Sequence, residues 1–198
     1  MKKLAVLIST VGTGSNLQAI IDAIEADKLN AEIAIAISDS KEAFGIKRAQ
    51  KHSLKIAICP KKENLFVILE AIKPDYIVLA GWKQIVSDEV IAKFQNRILN
   101  LHPGLVPQTI NGSVKNPDGT RALWNRGLLA EKAVQNFLGQ NSTYAGSSIH
   151  FLSKEFDFGP VLKRGFVKVH RNDTVDSLYS RLKKKEHRIY VESLQKLC

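Results

Sequence analysis

The chain has 198 residues, 44 % of them apolar, enough to bury one substantial core as a single domain. Twenty-nine basic against nineteen acidic residues give a formal charge of +10, which favours anionic partners; the densest basic run, residues 181–188, lacks interleaved aromatics and reads as a solvated helix face, which argues against nucleic acid. No apolar stretch reaches the ~20 residues that cross a bilayer, and Cys59 and Cys198 form neither a disulfide framework nor a metal spacing, so the expectation is a soluble cytoplasmic protein without membrane or metal.

Short apolar runs recur at residues 4–8, 31–37, 55–59, 76–80 and 98–101, separated by segments of helical character, and this alternation predicts an α/β fold with a parallel sheet. Ser15 precedes Leu17, Ile20, Ile21 and Ile24, spaced for one helix face. Asp39 with Glu42 three residues on reads as the cap of a helix over 43–51, and Ser87 heads a short helix through Phe94. Residues 103–120 are rich in Gly, Pro and Asn without periodicity and predict a long loop, the kind that is functional in a compact domain. A helix around 121–138 should follow, then strands over 147–152 and 161–169 joined by a turn at Asp157, and an amphipathic helix from Thr174 to about Leu194.

The first strand-to-helix turn reads Val11-Gly12-Thr13-Gly14-Ser15-Asn16-Leu17. Small residues there let backbone N–H groups and a helix N-terminus meet an anion such as a phosphate. The turn lacks the lysine of a P-loop and the third glycine of a dinucleotide fingerprint, which disfavours ATP hydrolysis and NAD chemistry. A tight turn without ligand is the other reading of this segment.

Asn100-Leu101-His102-Pro103 ends the fifth apolar run with an amide and an imidazole two residues apart. In an extended chain those two side chains leave the same face, so both can converge on one reacting atom. Ser148-Ile149-His150-Phe151, followed by Phe156-Asp157-Phe158-Gly159-Pro160, offers the carboxylate that such an imidazole uses as its orienting partner. Each residue alone reads as an ordinary turn or core residue; the combination of Asn100, His102 and Asp157 reads as a catalytic set.

Six motifs in order, Ser15-Asn16-Leu17-Gln18-Ala19, Ala43-Phe44-Gly45, Leu79-Ala80-Gly81-Trp82, Ile98-Leu99-Asn100-Leu101-His102-Pro103, Gly146-Ser147-Ser148-Ile149-His150-Phe151 and Asp157-Phe158-Gly159-Pro160-Val161, resemble the phosphoribosylglycinamide formyltransferases among the folate-dependent formyltransferases. The resemblance implies a Rossmann-like formyltransferase fold, a mostly parallel twisted sheet with helices on both faces. It implies one domain over 1–198, with 1–100 as the phosphate- and substrate-binding half and 101–198 as the catalytic and folate-cleft half. The carbon donor would be 10-formyltetrahydrofolate, a co-substrate, and the acceptor the amine of a phosphorylated small molecule, glycinamide ribonucleotide.

By the same resemblance Asn100, His102 and Asp157 would be catalytic, with Ser148 and His150 in support. Thr13, Gly14, Ser15 and Asn16 would cradle the substrate phosphate, Glu186 would contact its ribose, and Trp82, Lys83 and Ile85 would line the pterin cleft. A monomer or homodimer would act on small molecules. The segment 108–146 departs from the family's usual pattern, which leaves an amino-sugar nucleotide or methionyl-tRNA as other acceptors; relatives acting on those carry an added C-terminal domain, for which no room is expected here. A non-catalytic nucleotide- or RNA-binding module is the reading from a different class.

Overall fold

The computed structural model describes residues 1–10 and 12–198, so Val11 of the predicted phosphate turn lies outside the described residues. The chain divides into two compact units, residues 1–100 with 194–198, and residues 101–193.

The first unit is built on β1 (Lys2–Ile8), α1 (Ser15–Glu25), β2 (Ala31–Ser38), α2 (Phe44–Lys51), β3 (Ile56–Ile58), a 3-10 turn at Lys62–Asn64, α3 (Leu65–Ile72), β4 (Tyr76–Leu79), α4 (Asp88–Lys93) and β5 (Ile98–His102). Its strands lie in the order β3-β2-β1-β4-β5, and every pair is parallel. Leu4, Ala5, Val6 and Leu7 of β1 are fully buried between β2 and β4. A parallel strand covered on both faces reads as a continuous apolar run, which is how β1 was legible. Ser87 caps α4 by accepting from Val90 N.

The expected Asp39 cap is not formed. Helix α2 starts at Phe44 with Ala43 at its N-cap and no side-chain cap, because Asp39 Oδ1 accepts instead from Thr10 N at 3.1 Å. Gly14, in the left-handed region at φ 68°, stands at the N-cap of α1, and Ser15 is the first helical residue.

The second unit takes up the chain at the end of β5 and holds α5 (Ala130–Gly139), β6 (Tyr144–Phe151), β7 (Val161–Lys168) and most of α6 (Val175–Gln195). Its strands β6 and β7 pair antiparallel over the register Tyr144↔Lys168 to His150↔Val161. Leu105, Ala122, Val134, Phe137, Ala145, Leu178 and Leu182 form its apolar core.

The helix expected around 121–138 is shorter than predicted. Residues 121–129 are irregular: Lys115 bridges Arg121, Ala122 N donates to Val114 O, and Asn125 and Gly127 adopt φ of 57° and 80°. Two left-handed residues so close together cannot continue a right-handed helix. The basic run on α6 is partly neutralised locally, by Asp173 on Arg181, Glu186 near Lys183 and Glu192 on Arg188. Among the described residues no helix is long and apolar enough to cross a membrane.

Candidate functional site

In the first unit the turn before α1 is held from several sides. Gly14 packs so closely on α2 that a Cβ would stand 2.6 Å from Gly45 Cα. Arg48 of α2 donates through Nε to Thr13 O at 2.9 Å and through Nη1 to Gln18 Oε1 at 3.1 Å, which sets a guanidinium beside the start of α1. Ser15 Oγ and Asn16 Oδ1 are buried without a hydrogen-bond partner. Buried polar atoms cost free energy when unpaired, and a helix N-terminus already carries unsatisfied N–H groups. The Ser15 hydroxyl and the first N–H groups of α1 can donate to an anion, whereas Asn16 Oδ1 can only accept.

After β4 the chain turns at Gly81, φ 96°. Lys83 N donates to Ser9 Oγ at 3.0 Å, and Gln84 Nε2 donates to Cys59 O and Pro60 O, so this turn is tied to the ends of β1 and β3. Trp82 is half-buried with its Nε1 lacking a partner, Lys83 is exposed, and Ile85 is 68 % exposed, an apolar side chain presented to solvent. Asn100 lies on β5 in register with Leu79.

In the second unit His102, Asp157, Ser148 and His150 come together. His102 is 2 % exposed, and its Nδ1 stands 3.5 Å from Oδ1 of Asp157. Asp157 sits at φ 51° in the tight turn between β6 and β7, and its Oδ2 accepts from Gly127 N at 2.7 Å. Burial works against ionisation of this carboxyl, but the hydrogen bond and charge of His102, with the Gly127 N–H, outweigh it and hold its pKa below the ordinary value.

His150 is fully buried, its ring 6.4 Å from that of His102 and nearly perpendicular to it. Burial pushes its pKa down to about 4 although the Phe151 carbonyl, 3.0 Å from Nδ1, works the other way, so it is neutral at physiological pH. The Ser148 hydroxyl works on the chain that follows His102: it donates to Gly104 O at 2.7 Å and accepts from Val106 N at 2.9 Å. Arg164, paired with Ser148 in the β6–β7 register, donates twice to Val106 O.

Glu186, at 2 % exposure, accepts from Ser147 Oγ at 2.8 Å and so fastens α6 to β6. Burial raises its pKa, against the pull of Lys183 and of Ser147.

Sequence reasoning missed the segment 124–127, which it placed inside a helix. Trp124 O lies 2.7 Å from His102 Nε2, and Trp124 Nε1 donates to the main-chain oxygen of Asp157 at 3.1 Å. Arg126 Nε donates to Phe156 O at 2.9 Å. The available signal was the pair Asn125 and Gly127, both residue types that favour positive φ. A cavity of about 230 Å³ opens along the preceding loop, walled by Leu105, Pro107, Val114, Arg121 and Trp124 among others, but neither His102 nor Asp157 is on its wall. Among the described residues no group of three or more His, Cys, Asp or Glu side chains is arranged to hold a metal ion.

Known proteins share this arrangement of elements. The formyl transferase family matches residues 2–194. The phosphoribosylglycinamide formyltransferase of Escherichia coli is 33 % identical, over 94 % of this chain and 82 % of its own length. The chloroplastic phosphoribosylglycinamide formyltransferase of Arabidopsis thaliana is 29 % identical over the whole of this chain. The chain spans 65 % of that protein's length and 61 % of its Vigna unguiculata counterpart's. Among solved structures, glycinamide ribonucleotide transformylase 1 from Symbiobacterium toebii superimposes with a TM-score of 0.82 at 31 % identity, covering 98 % of this chain and 86 % of that one.

Proposed function

This chain belongs to the formyl transferase family, and from that premise we propose that it transfers the formyl group of 10-formyltetrahydrofolate to the amine of glycinamide ribonucleotide, a step of purine biosynthesis. The observation that carries the reading is the buried approach of His102 Nδ1 to Asp157 Oδ1 at 3.5 Å, on a strand end that presents Asn100 two residues earlier.

The substrate amine attacks the formyl carbon, and the carbonyl oxygen becomes an oxyanion. An amide N–H donor aimed at that oxygen lowers the barrier, and this is the role given to Asn100. His102, beside the developing tetrahedral centre, stabilises its charge; to relay the proton the amine must lose, its Nε2 has to exchange Trp124 O for the substrate. Asp157, ionised, orients the imidazole and assists proton delivery to the departing folate nitrogen. Neutral, buried His150 packs near His102 without adding a competing charge, and Ser148 fixes the backbone of Gly104 and Val106 behind it.

In the first unit, the cradle at Thr13, Gly14, Ser15 and Asn16, with Arg48 beside it, is assigned to the substrate phosphate; the orphaned Ser15 hydroxyl, which can donate, and the Arg48 guanidinium support that assignment. Trp82, Lys83 and Ile85, on the turn after β4, are assigned to the folate. The enzyme would act as a monomer or homodimer on small molecules.

The test is release of tetrahydrofolate from 10-formyltetrahydrofolate, followed by absorbance, with glycinamide ribonucleotide, an amino-sugar nucleotide or methionyl-tRNA supplied separately. Turnover with glycinamide ribonucleotide alone is expected. Turnover only with another amine would reassign the acceptor, and none with any amine would sink the catalytic reading.

A further inference from the structure

The segment 104–145 lies outside all six motifs that carry the family resemblance, yet its residues 124–127 touch both members of the His102–Asp157 pair. Four contacts converge from this one short stretch. Trp124 O meets His102 Nε2 at 2.7 Å, and because a carbonyl can only accept, the imidazole nitrogen is the donor. The Trp124 indole N–H holds the Asp157 main-chain oxygen at 3.1 Å. Arg126 Nε holds the preceding carbonyl, Phe156 O, at 2.9 Å, while its guanidinium lies 5.1 Å over the Trp124 ring. Gly127 N takes the second carboxylate oxygen of Asp157 at 2.7 Å.

The stretch is itself anchored. Asn125, 7 % exposed and at φ 57°, donates to Pro103 O at 3.0 Å and accepts from Asn136 Nδ2 at 2.8 Å. The Trp124 ring packs against Phe158, 5.9 Å between centroids. Asp157 stands at the tip of an exposed turn, with Glu155 and Phe156 both facing solvent. A carboxylate on such a turn keeps its aim only if the backbone around it is held.

We infer that Trp124 and Arg126 are positioning residues, which clasp the Phe156–Asp157 main chain and the Nε2 side of His102 so that imidazole and carboxylate keep one mutual geometry. The catalytic role of that pair rests on the proposed formyl transfer, but the clasp itself does not.

Trp124→Phe keeps the main-chain carbonyl and a ring against Phe158 and removes the indole donor along with the second ring; Arg126→Ala removes the exposed guanidinium, and Arg126→Lys returns a cation that can reach Phe156 O. Two readouts are taken on each full-length variant beside its melting temperature: the imidazole ¹⁵N resonances of His102, assigned with His102→Asn, and kcat and KM for formyl transfer. Trp124→Phe and Arg126→Ala are expected to displace the His102 resonances and to lower kcat about fivefold to twentyfold, with KM for either substrate within about twofold and melting little changed. Arg126→Lys should recover most of the kcat.

Unmoved His102 resonances in both variants would overturn the clasp, and so would a loss of activity that lies in KM or follows a fall in melting temperature. If the unmodified chain transfers formyl to no amine, the functional reading fails and the resonances decide the clasp alone.

Discussion

Asp157 presents both carboxylate oxygens to partners of its own unit, Oδ1 to His102 Nδ1 at 3.5 Å and Oδ2 to the Gly127 N–H at 2.7 Å. Because those partners hold its pKa below the ordinary carboxylate value, Asp157 is ionised throughout the neutral range. Asp157→Asn keeps the shape and removes the charge. Its kcat is expected to fall about 10²- to 10³-fold at neutral pH, within the usual range for an acid–base group. A kcat within about threefold of wild type would remove Asp157 from the mechanism.

The task proposed for Asn100 differs from that of His102, although both leave the same side of β5. Asn100→Ala takes away the donor for the oxyanion, and a loss of about 10²- to 10³-fold in kcat is expected, the usual cost of one such donor. Circular dichroism should keep the signature of the native fold, because the residue is only half-buried. A variant that loses activity only through its KM would point to substrate binding instead.

The strands were legible because buried parallel strands leave unbroken apolar runs, and Ile98–His102 could be read to its last residue. Caps were less legible: the Asp39-to-Glu42 spacing is that of a capping box, but Thr10 N, distant in sequence, takes the Asp39 carboxylate. The pair His102 and Asp157 was legible through the family motifs and not through spacing. The clasp was not legible at all, because half of it is made by main-chain atoms: the Trp124 carbonyl and the Gly127 N–H have no residue-specific signature, and the apolar residues of 121–129 imitate a helix that two positive-φ residues forbid.

Glu186 and Ser147 set a pH dependence of stability. Burial raises the carboxyl pKa in the fold above its unfolded value of about 4.3, so the folded state prefers the protonated form. Stability from this group is therefore whole below that unfolded value and falls as pH rises towards the folded one. Glu186→Gln, neutral at every pH and still able to bond Ser147, should stabilise the protein at pH 7.5 by about 1–2 kcal/mol, a rise of roughly 2–8 °C in melting temperature. Near pH 4 the difference should vanish. A melting temperature lowered at pH 7.5 would show that the ionised Glu186, with Lys183 at 3.9 Å, is net favourable.

Asp173 acts in the opposite sense. It is 5 % exposed, takes two nitrogens of Arg181 at 2.5 and 2.7 Å, and accepts from Ser177 Oγ and His170 N just ahead of α6. Arg181 above all holds its carboxyl far below the usual range. Its stabilisation is complete above the unfolded value of about 3.9 and is withdrawn as pH falls through the folded one. Asp173→Asn should cost about 1–3 kcal/mol at pH 7, measured by urea unfolding, with the deficit against wild type shrinking below pH 3. A constant deficit down to pH 2 would mean that packing, not charge, is what the substitution removes.

Gly104 is where packing and the clasp meet. A Cβ there would stand 1.7 Å from Trp124 O and 3.0 Å from His102 Nε2, and the nearer atom is backbone. Gly104→Ala cannot be accommodated by a rotamer change, so the 124–127 stretch must move off His102. A destabilisation of about 2–4 kcal/mol is expected by urea unfolding, in the range of severe overpacking. Because Ser148 still holds Gly104 O and Val106 N, the fold should survive, and the fraction that remains native should show a kcat reduced further than Trp124→Phe reduces it. A stable Gly104→Ala protein with normal kcat would mean that the Trp124 carbonyl does not lie over His102 in solution.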